Sequence, residues 1–239
     1  MALTVTTDKR RSEEPLAEQA YFTIRERILR GTFPPGTVLS RRKLADEFSM
    51  SFLPVSEALQ RLQAEGLVES RPRVGTRVRT PTTDEVRGRY VVREALEAQS
   101  AMLCCERATF PERLELRRLA DHLDTLYQRA AGGEQDTEFL YAVHSNHMSL
   151  HMHIATCARC PELKEAIERN HVLIYNWFYD VNAQRQPLPK GFHAQLVEAV
   201  TGKDIAAADR VMREHVRYGL EGVLENIEPK TEGDWRLRR

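Results

Sequence analysis

Two histidines four residues apart, His147 and His151, stand where one face of an α-helix presents both imidazoles to a single metal ion. His144 lies one turn before His147 on the same face and is the candidate outer partner of such a site. No glutamate accompanies the pair in an H-E-x-x-H arrangement, so the general base that a hydrolytic metal centre needs is missing from the local sequence. His193 and His215 fall in two later segments, and His122, His153 and His171 read as ordinary surface or core residues. The four cysteines occur as Cys104-Cys105 and Cys157-x-x-Cys160. They lack the paired spacing of a zinc site and the strand-then-helix context of a redox motif, and they read as reduced packing residues.

The elements that must carry these histidines follow from the pattern of breaks. Beyond Thr83 the chain is long and apolar-periodic, interrupted near Pro111, Gly132-Gly133, Pro161, Pro187-Pro189 and Gly202. That pattern predicts six helices, over 84–107, 111–130, 135–157, 161–182, 190–201 and 204–226. No strand alternation interrupts them, so an antiparallel all-α six-helix bundle over 81–228 is expected. The fourth of these helices carries Asn170, Tyr175, Asn176, Trp177 and Tyr179, more polar and aromatic than a core requires; Asn170 is placed to line a cavity, and the aromatics suit a dimer or packing surface equally.

The first third is cut into shorter pieces by Gly31, Pro34, Pro35, Gly36, Pro54, Gly66, Pro72 and Gly75. Helices are expected over Ala17–Arg30, Arg41–Phe48 and Pro54–Glu65, the proline of the last sitting near its first turn, where a missing N–H is harmless. Arg71 to Arg79 alternates arginine with valine about Gly75, which reads as a two-stranded hairpin with basic outward positions. Three helices and a basic hairpin make a winged helix-turn-helix over 16–80, preceded by a disordered arm over 1–15; a tail over 229–239 follows the bundle. The fold class is therefore mostly α, with one small β wing.

Such a module lays its third helix in the major groove of double-stranded DNA while basic groups neutralise phosphates. The groove helix is entered through Ser51, Phe52 and Leu53 and runs on through Pro54 and Val55; Phe52, Ser56 and Glu57 are its exposed N-terminal residues. The wing offers Arg71, Arg73, Arg77 and Arg79, with Gly75 and Thr76 at its tip. Whole-chain charge conceals this: 35 Lys+Arg balance 35 Asp+Glu over 239 residues. Residues 1–80 hold 14 basic against 10 acidic side chains, and the remainder 21 against 25, so a net +4 segment precedes a net −4 one. No apolar run approaches the roughly 18 residues of a membrane span, and Met1 to Pro15 has no apolar stretch of signal-peptide length. A cytoplasmic protein without a membrane partner is expected.

The run Leu44-Ala45-Asp46-Glu47-Phe48-Ser49-Met50-Ser51-Phe52-Leu53-Pro54-Val55-Ser56-Glu57-Ala58-Leu59, continuing to Leu62 and Gly66-Leu67-Val68, resembles the GntR family of bacterial transcription regulators. Gly31-x-Phe33-x-Pro35-Gly36 matches the family's link between helices. The resemblance implies that Arg42 contacts DNA. Phe52 and Ser56 stand where the family usually has arginine, which implies an unusual operator or binding carried mainly by the wing. A winged helix serving only protein contacts is the alternative, separable by gel shift. The second domain, from Val92-Arg93-Glu94-Ala95-Leu96-Glu97 to Leu150-His151-x-x-Ile154-Ala155 and Cys160-Pro161-x-Leu163, resembles the FCD-type effector domain of the FadR subfamily.

That second resemblance implies a helical cavity holding a divalent metal, zinc or nickel, and a small organic acid. His147, His151, His193 and His215 fall at its ligand positions, the first replacing the aspartate of most members, so the set is all histidine and suits zinc, nickel or copper. Arg93 matches an arginine that holds the effector's carboxylate, although an ion pair with Glu97 at i+4 is an equal alternative; His144 and Asn170 are further candidates for the effector pocket. The chain thus reads as a homodimeric, ligand-responsive repressor and not as an enzyme. A helical-bundle metalloenzyme and a metal sensor without organic effector are the competing readings.

Overall fold

The computed structural model describes residues 15–134, 136–173 and 188–227. It divides into two compact units, Met1–Thr80 and Pro81–Arg239.

In the first unit, α1 (Leu16–Leu29) buries Ala20, Ile24 and Ile28 at steps of four and packs them on α3. Ser40 caps α2 (Arg41–Glu47), its hydroxyl accepting the Lys43 N–H at 3.4 Å. The groove helix α3 spans Phe52–Ala64 and begins two residues before Pro54. Proline there still lies in the first turn, whose N–H groups have no intrahelical acceptors, so it breaks nothing. At the other end Gly66, at φ +80°, donates to the Gln63 carbonyl at 3.0 Å, and Leu67 to that of Leu62 at 2.9 Å. This cap turns the chain sharply and buries Leu62 against the core beside Leu67.

The wing is three-stranded, in the antiparallel order β1 (Val38–Leu39), β3 (Gly75–Val78), β2 (Val68–Arg71). The expected two-stranded hairpin therefore gains an edge strand, with Val38 opposite Arg77 and Leu39 opposite Thr76. Arg71 pairs with Gly75, which corrects the position of the tip: it is the three-residue turn Pro72-Arg73-Val74, not Gly75-Thr76. Arg73 takes φ +64° in that turn, and Gly75 at φ +117° opens the returning strand.

The second unit holds six helices among the described residues: α4 (Thr83–Arg107), α5 (Phe110–Ala131), α6 (Thr137–Cys157), α7 (Pro161–Leu173), α8 (Phe192–Val200) and α9 (Ile205–Ile227). Capping boxes start two of them, Thr82 with Glu85 for α4 and Thr109 with Glu112 for α5, and the Asp136 carboxylate accepts the Phe139 N–H at 3.0 Å to start α6. The expectation that the fourth helix runs to residue 182 lies beyond the described residues after 173, as do Tyr175, Asn176, Trp177 and Tyr179. Helix α8 starts at Phe192 because Gly191 takes a left-handed φ of +67°. Long α4 is the axis of the packing, touching α6, α7, α8 and α9, while α5 packs on α6 and α8. Its buried face carries Tyr90, Ala98, Ala101 and Cys104, and also two charges, Arg93 and Glu97.

Candidate metal centre and DNA-reading face

Helix α6 presents His147 and His151, one turn apart, toward α9, which presents His215. The three Nε2 atoms converge: His151 to His147 at 2.9 Å, His151 to His215 at 3.2 Å, and His147 to His215 at 3.3 Å. These three are the group whose donor atoms all lie within 4.8 Å of one another. His193, near the start of α8, stands outside that group but beside it, its ring centroid 5.1 Å from His147 and 5.4 Å from His215. Its Nε2 is buried and has no hydrogen-bond partner among the described residues.

The other ring nitrogens fix which Nε2 atoms carry lone pairs in two of the four histidines. His151 Nδ1 bonds Glu97 Oε2 in a very short contact, with both side chains buried. His193 Nδ1 bonds Asp124 Oδ1 at 2.7 Å, and His147 Nδ1 meets the Tyr127 hydroxyl at 3.2 Å. A carboxylate accepts only, so the proton of His151 and of His193 sits on Nδ1 and leaves Nε2 as an acceptor. Burial, reinforced by neighbouring imidazoles, pushes His147 and His215 well below the usual 6.5, and burial also lowers His193 against the opposing pull of Asp124. Asp124 is itself lowered: burial raises it, but hydrogen bonds from His193 and the Ala194 N–H outweigh that.

Neutral imidazoles that bring Nε2 atoms to one point form a donor set for a transition-metal cation. Zinc–nitrogen bonds of about 2.0–2.1 Å in a tetrahedron set ligand atoms about 3.3 Å apart, close to the separations seen here. The residues present thus fit a divalent transition metal, with His147, His151 and His215 as the converging donors and His193 beside them.

Arg93, expected to hold an effector carboxylate, is buried and directs Nε to Glu97 Oε1 at 2.7 Å. The i+4 ion pair is therefore the arrangement present, and it is a buried pair, not a surface one. Asn170 is buried and donates to the Arg89 carbonyl at 3.4 Å; His144 is half-buried and lies outside the converging group. Reading the sequence missed Glu97, Asp124 and Tyr127 as partners of the histidines. One signal was available: Arg93 and Glu97 share the inward face of an amphipathic helix with Tyr90 and Cys104, where a charge needs a buried partner. The cysteines are all free thiols. Cys157 is hydrogen-bonded with Cys104 of α4, which pushes Cys104 up and Cys157 down.

On the first unit, Phe52 and Leu53 are 58% and 65% exposed at the start of α3, Ser51 and Arg42 are exposed, and Ser56 is half-buried. Pro54 and Val55, expected at the DNA surface, are buried in the core by the turn of the helix, and Thr76 is buried with its hydroxyl 2.7 Å from that of Ser70. Arg77 does not point outward either: it is largely covered and its Nε bonds Glu69 at 2.6 Å. Arg71 and Arg73 remain exposed at the wing, lining with Arg41 a shallow groove of about 550 Å³ that also includes Gly75.

The profile of "Bacterial regulatory proteins, gntR family" matches residues 16–78, and that of the "FCD domain" matches residues 89–218. The chain is a GntR-family regulator with an FCD domain. Among its relatives, the HTH-type transcriptional repressor RspR of Escherichia coli (strain K12) is 26% identical over 216 residues, covering 89% of this chain and 90% of RspR. The regulator YdhC of Bacillus subtilis (strain 168) is 25% identical over 219 residues, with 90% and 93% covered. E. coli McbR/YncC has the same fold, with a TM-score of 0.71 at 22% identity, covering 89% of this chain and 99% of that one. A GntR regulator from Rhodococcus sp. RHA1 follows at a TM-score of 0.64 and 22% identity, with 88% and 96% covered. These relatives are regulators, and the chain is a DNA-binding transcription regulator, not an enzyme. Among the described residues no helix is long and apolar enough to cross a membrane.

Proposed function

We propose that this GntR regulator is a homodimeric cytoplasmic repressor whose FCD domain holds a divalent transition metal, zinc or nickel, on His147, His151, His215 and His193. A small organic acid completing the metal's coordination then controls operator affinity. The observation that carries this reading is the convergence of three imidazole Nε2 atoms beside a fourth, buried Nε2 without a partner. Neutral donors leave the charge of a divalent ion uncompensated among its immediate ligands, which favours an anionic fourth or fifth ligand over a neutral one. RspR is a transcriptional repressor, and dimeric helix-turn-helix proteins match the two-fold symmetry of their operators. If the ligand prefers one state of the protein and DNA another, each must weaken the other by the same factor.

Metal content of protein purified without a histidine tag tests the centre. The wild type is expected to carry about one ion per chain, and His151→Ala and His193→Ala to lose it. Equal metal in all three would overturn the assignment. Gel shifts against the regulator's own promoter region, with and without metal and at raised salt, test the repressor half.

A further inference from the structure

Helices α4 and α5 contribute no metal ligand, yet each sends an acid to one. From α4, Glu97 reaches His151 Nδ1 with one carboxylate oxygen and Arg93 Nε with the other. From α5, Asp124 receives His193 Nδ1 and the His193 N–H on Oδ1, at 2.7 and 3.1 Å, and the Ala194 N–H on Oδ2 at 3.1 Å. The second acid thereby also caps α8, whose own N-cap residue, Gly191, has no side chain to do so. Tyr127, one turn beyond Asp124 on α5, holds His147 Nδ1 and lies 5.0 Å from the His193 ring, tilted by 33°.

We propose that Glu97 and Asp124 are the positioning residues of this centre, locking His151 and His193 as Nδ1–H tautomers so that both Nε2 lone pairs face the shared point before any ion arrives. The inference rests on the metal reading above for its consequence, but its structural content is the orientation of two rings. An isolated neutral imidazole can place its proton on either nitrogen and turn about its side-chain bonds; a carboxylate fixed on a neighbouring helix removes both freedoms. The acids also place negative charge directly behind imidazoles that carry none of their own. Arg93 offsets Glu97, whereas Asp124 is answered mainly by backbone N–H groups, so the two supports are not equivalent. Asp124 is the one whose charge is left to act on the ion.

Nitrogen-detected NMR of the metal-free protein above pH 7.5 reads the tautomers directly. Both His151 and His193 are expected as Nδ1–H in the wild type, and His193 is expected to mix both forms in Asp124→Ala. Zinc affinity, from competition with a chromophoric chelator, is expected to fall about tenfold or more in Asp124→Asn and Glu97→Gln. The cobalt-substituted absorption spectrum should shift with it. Melting of the metal-free variants monitors folding, and Asp124→Asn, which keeps an acceptor for His193, is the variant that stays folded if Glu97→Gln does not. Nε2–H tautomers in the wild type, or a folded Asp124→Ala variant with unchanged tautomer and zinc affinity, would overturn the proposal. A wild type that binds no metal defeats the proposed function instead, and the tautomer measurement still decides the role of the two acids.

Discussion

At the scale of single residues, the buried side chains of the FCD domain differ from an ordinary core in one respect: they carry charge. Arg93 and Glu97 are 3% and 2% exposed and compensate each other on one helix face. Arg93→Met removes the guanidinium that compensates the buried Glu97 carboxylate, and a loss of about 3–5 kcal/mol is expected, read as a fall in the melting midpoint of metal-free protein. If Arg93 served only an effector, the same substitution would leave unliganded stability unchanged. Protons act on this cluster in a predictable direction. Because burial holds His147 and His215 well below 6.5, the unfolded chain binds more protons than the folded one once pH drops through that value. Their neutral state therefore supports folding fully above about pH 6.5, and metal-free stability should decline as pH falls below it. A melting temperature of the metal-free protein that is flat from pH 7 to 5, while His147→Gln behaves the same, would contradict this.

Elements show which features of the chain were legible and why. Helix existence followed from apolar period and punctuation, and the starts of α4 and α5 are fixed by threonine-glutamate boxes, Thr82 with Glu85 and Thr109 with Glu112. The second of these can be tested. Glu112 is held down to about 2 by Arg159 first, and by the Thr109 N–H and hydroxyl. A depressed carboxyl stabilises the fold above its unfolded value near 4.5 and loses that contribution as pH falls toward 2. Being partly exposed, it contributes about 0.5–1 kcal/mol. Glu112→Gln is expected to lower the melting temperature by about 2 °C at pH 7, with the difference closing in acid; a constant difference across that range would rule out the carboxylate as its source. Strand β1 stayed illegible because two residues have no periodicity to detect. Pro54 misled by two residues, since proline is tolerated throughout the first turn and does not mark its first residue. His147 and His151 were legible as candidate ligands because they share a helix at a spacing with chemical meaning, and His193 and His215 only through the resemblance to the FCD domain. Glu97, Asp124 and Tyr127 were not, because their relation to the histidines exists only across helix contacts, which no local spacing encodes.

Over the whole molecule, the zero net charge resolves into opposite halves, +4 for residues 1–80 and −4 for the rest. Nonspecific attraction to DNA then belongs to the first unit, and its salt dependence should follow the exposed arginines of the wing. Arg71→Ala with Arg73→Ala is expected to weaken binding to all duplexes about equally and to reduce the salt slope of log K by about two. An unchanged slope would assign the phosphates to other groups. Arg77, bound to Glu69, is expected to affect stability of the wing more than that slope. For the second unit, thermal-shift measurements with small carboxylates, with and without chelator, separate an effector-responsive regulator from a sensor of metal alone. Stabilisation by a carboxylate only in the metal-loaded protein supports the first, and stabilisation by metal alone supports the second.

The double use of Asp124 has a mechanical consequence. Its two oxygens hold the first N–H groups of α8 and the aim of His193 together, so the helix cannot slide along its axis without swinging the imidazole, and the imidazole cannot be drawn toward an ion without pulling the helix. Translation of a helix and rotation of a ring are thereby geared to each other. A pull on that ring is thereby also a pull on the first turn of the rod that carries it.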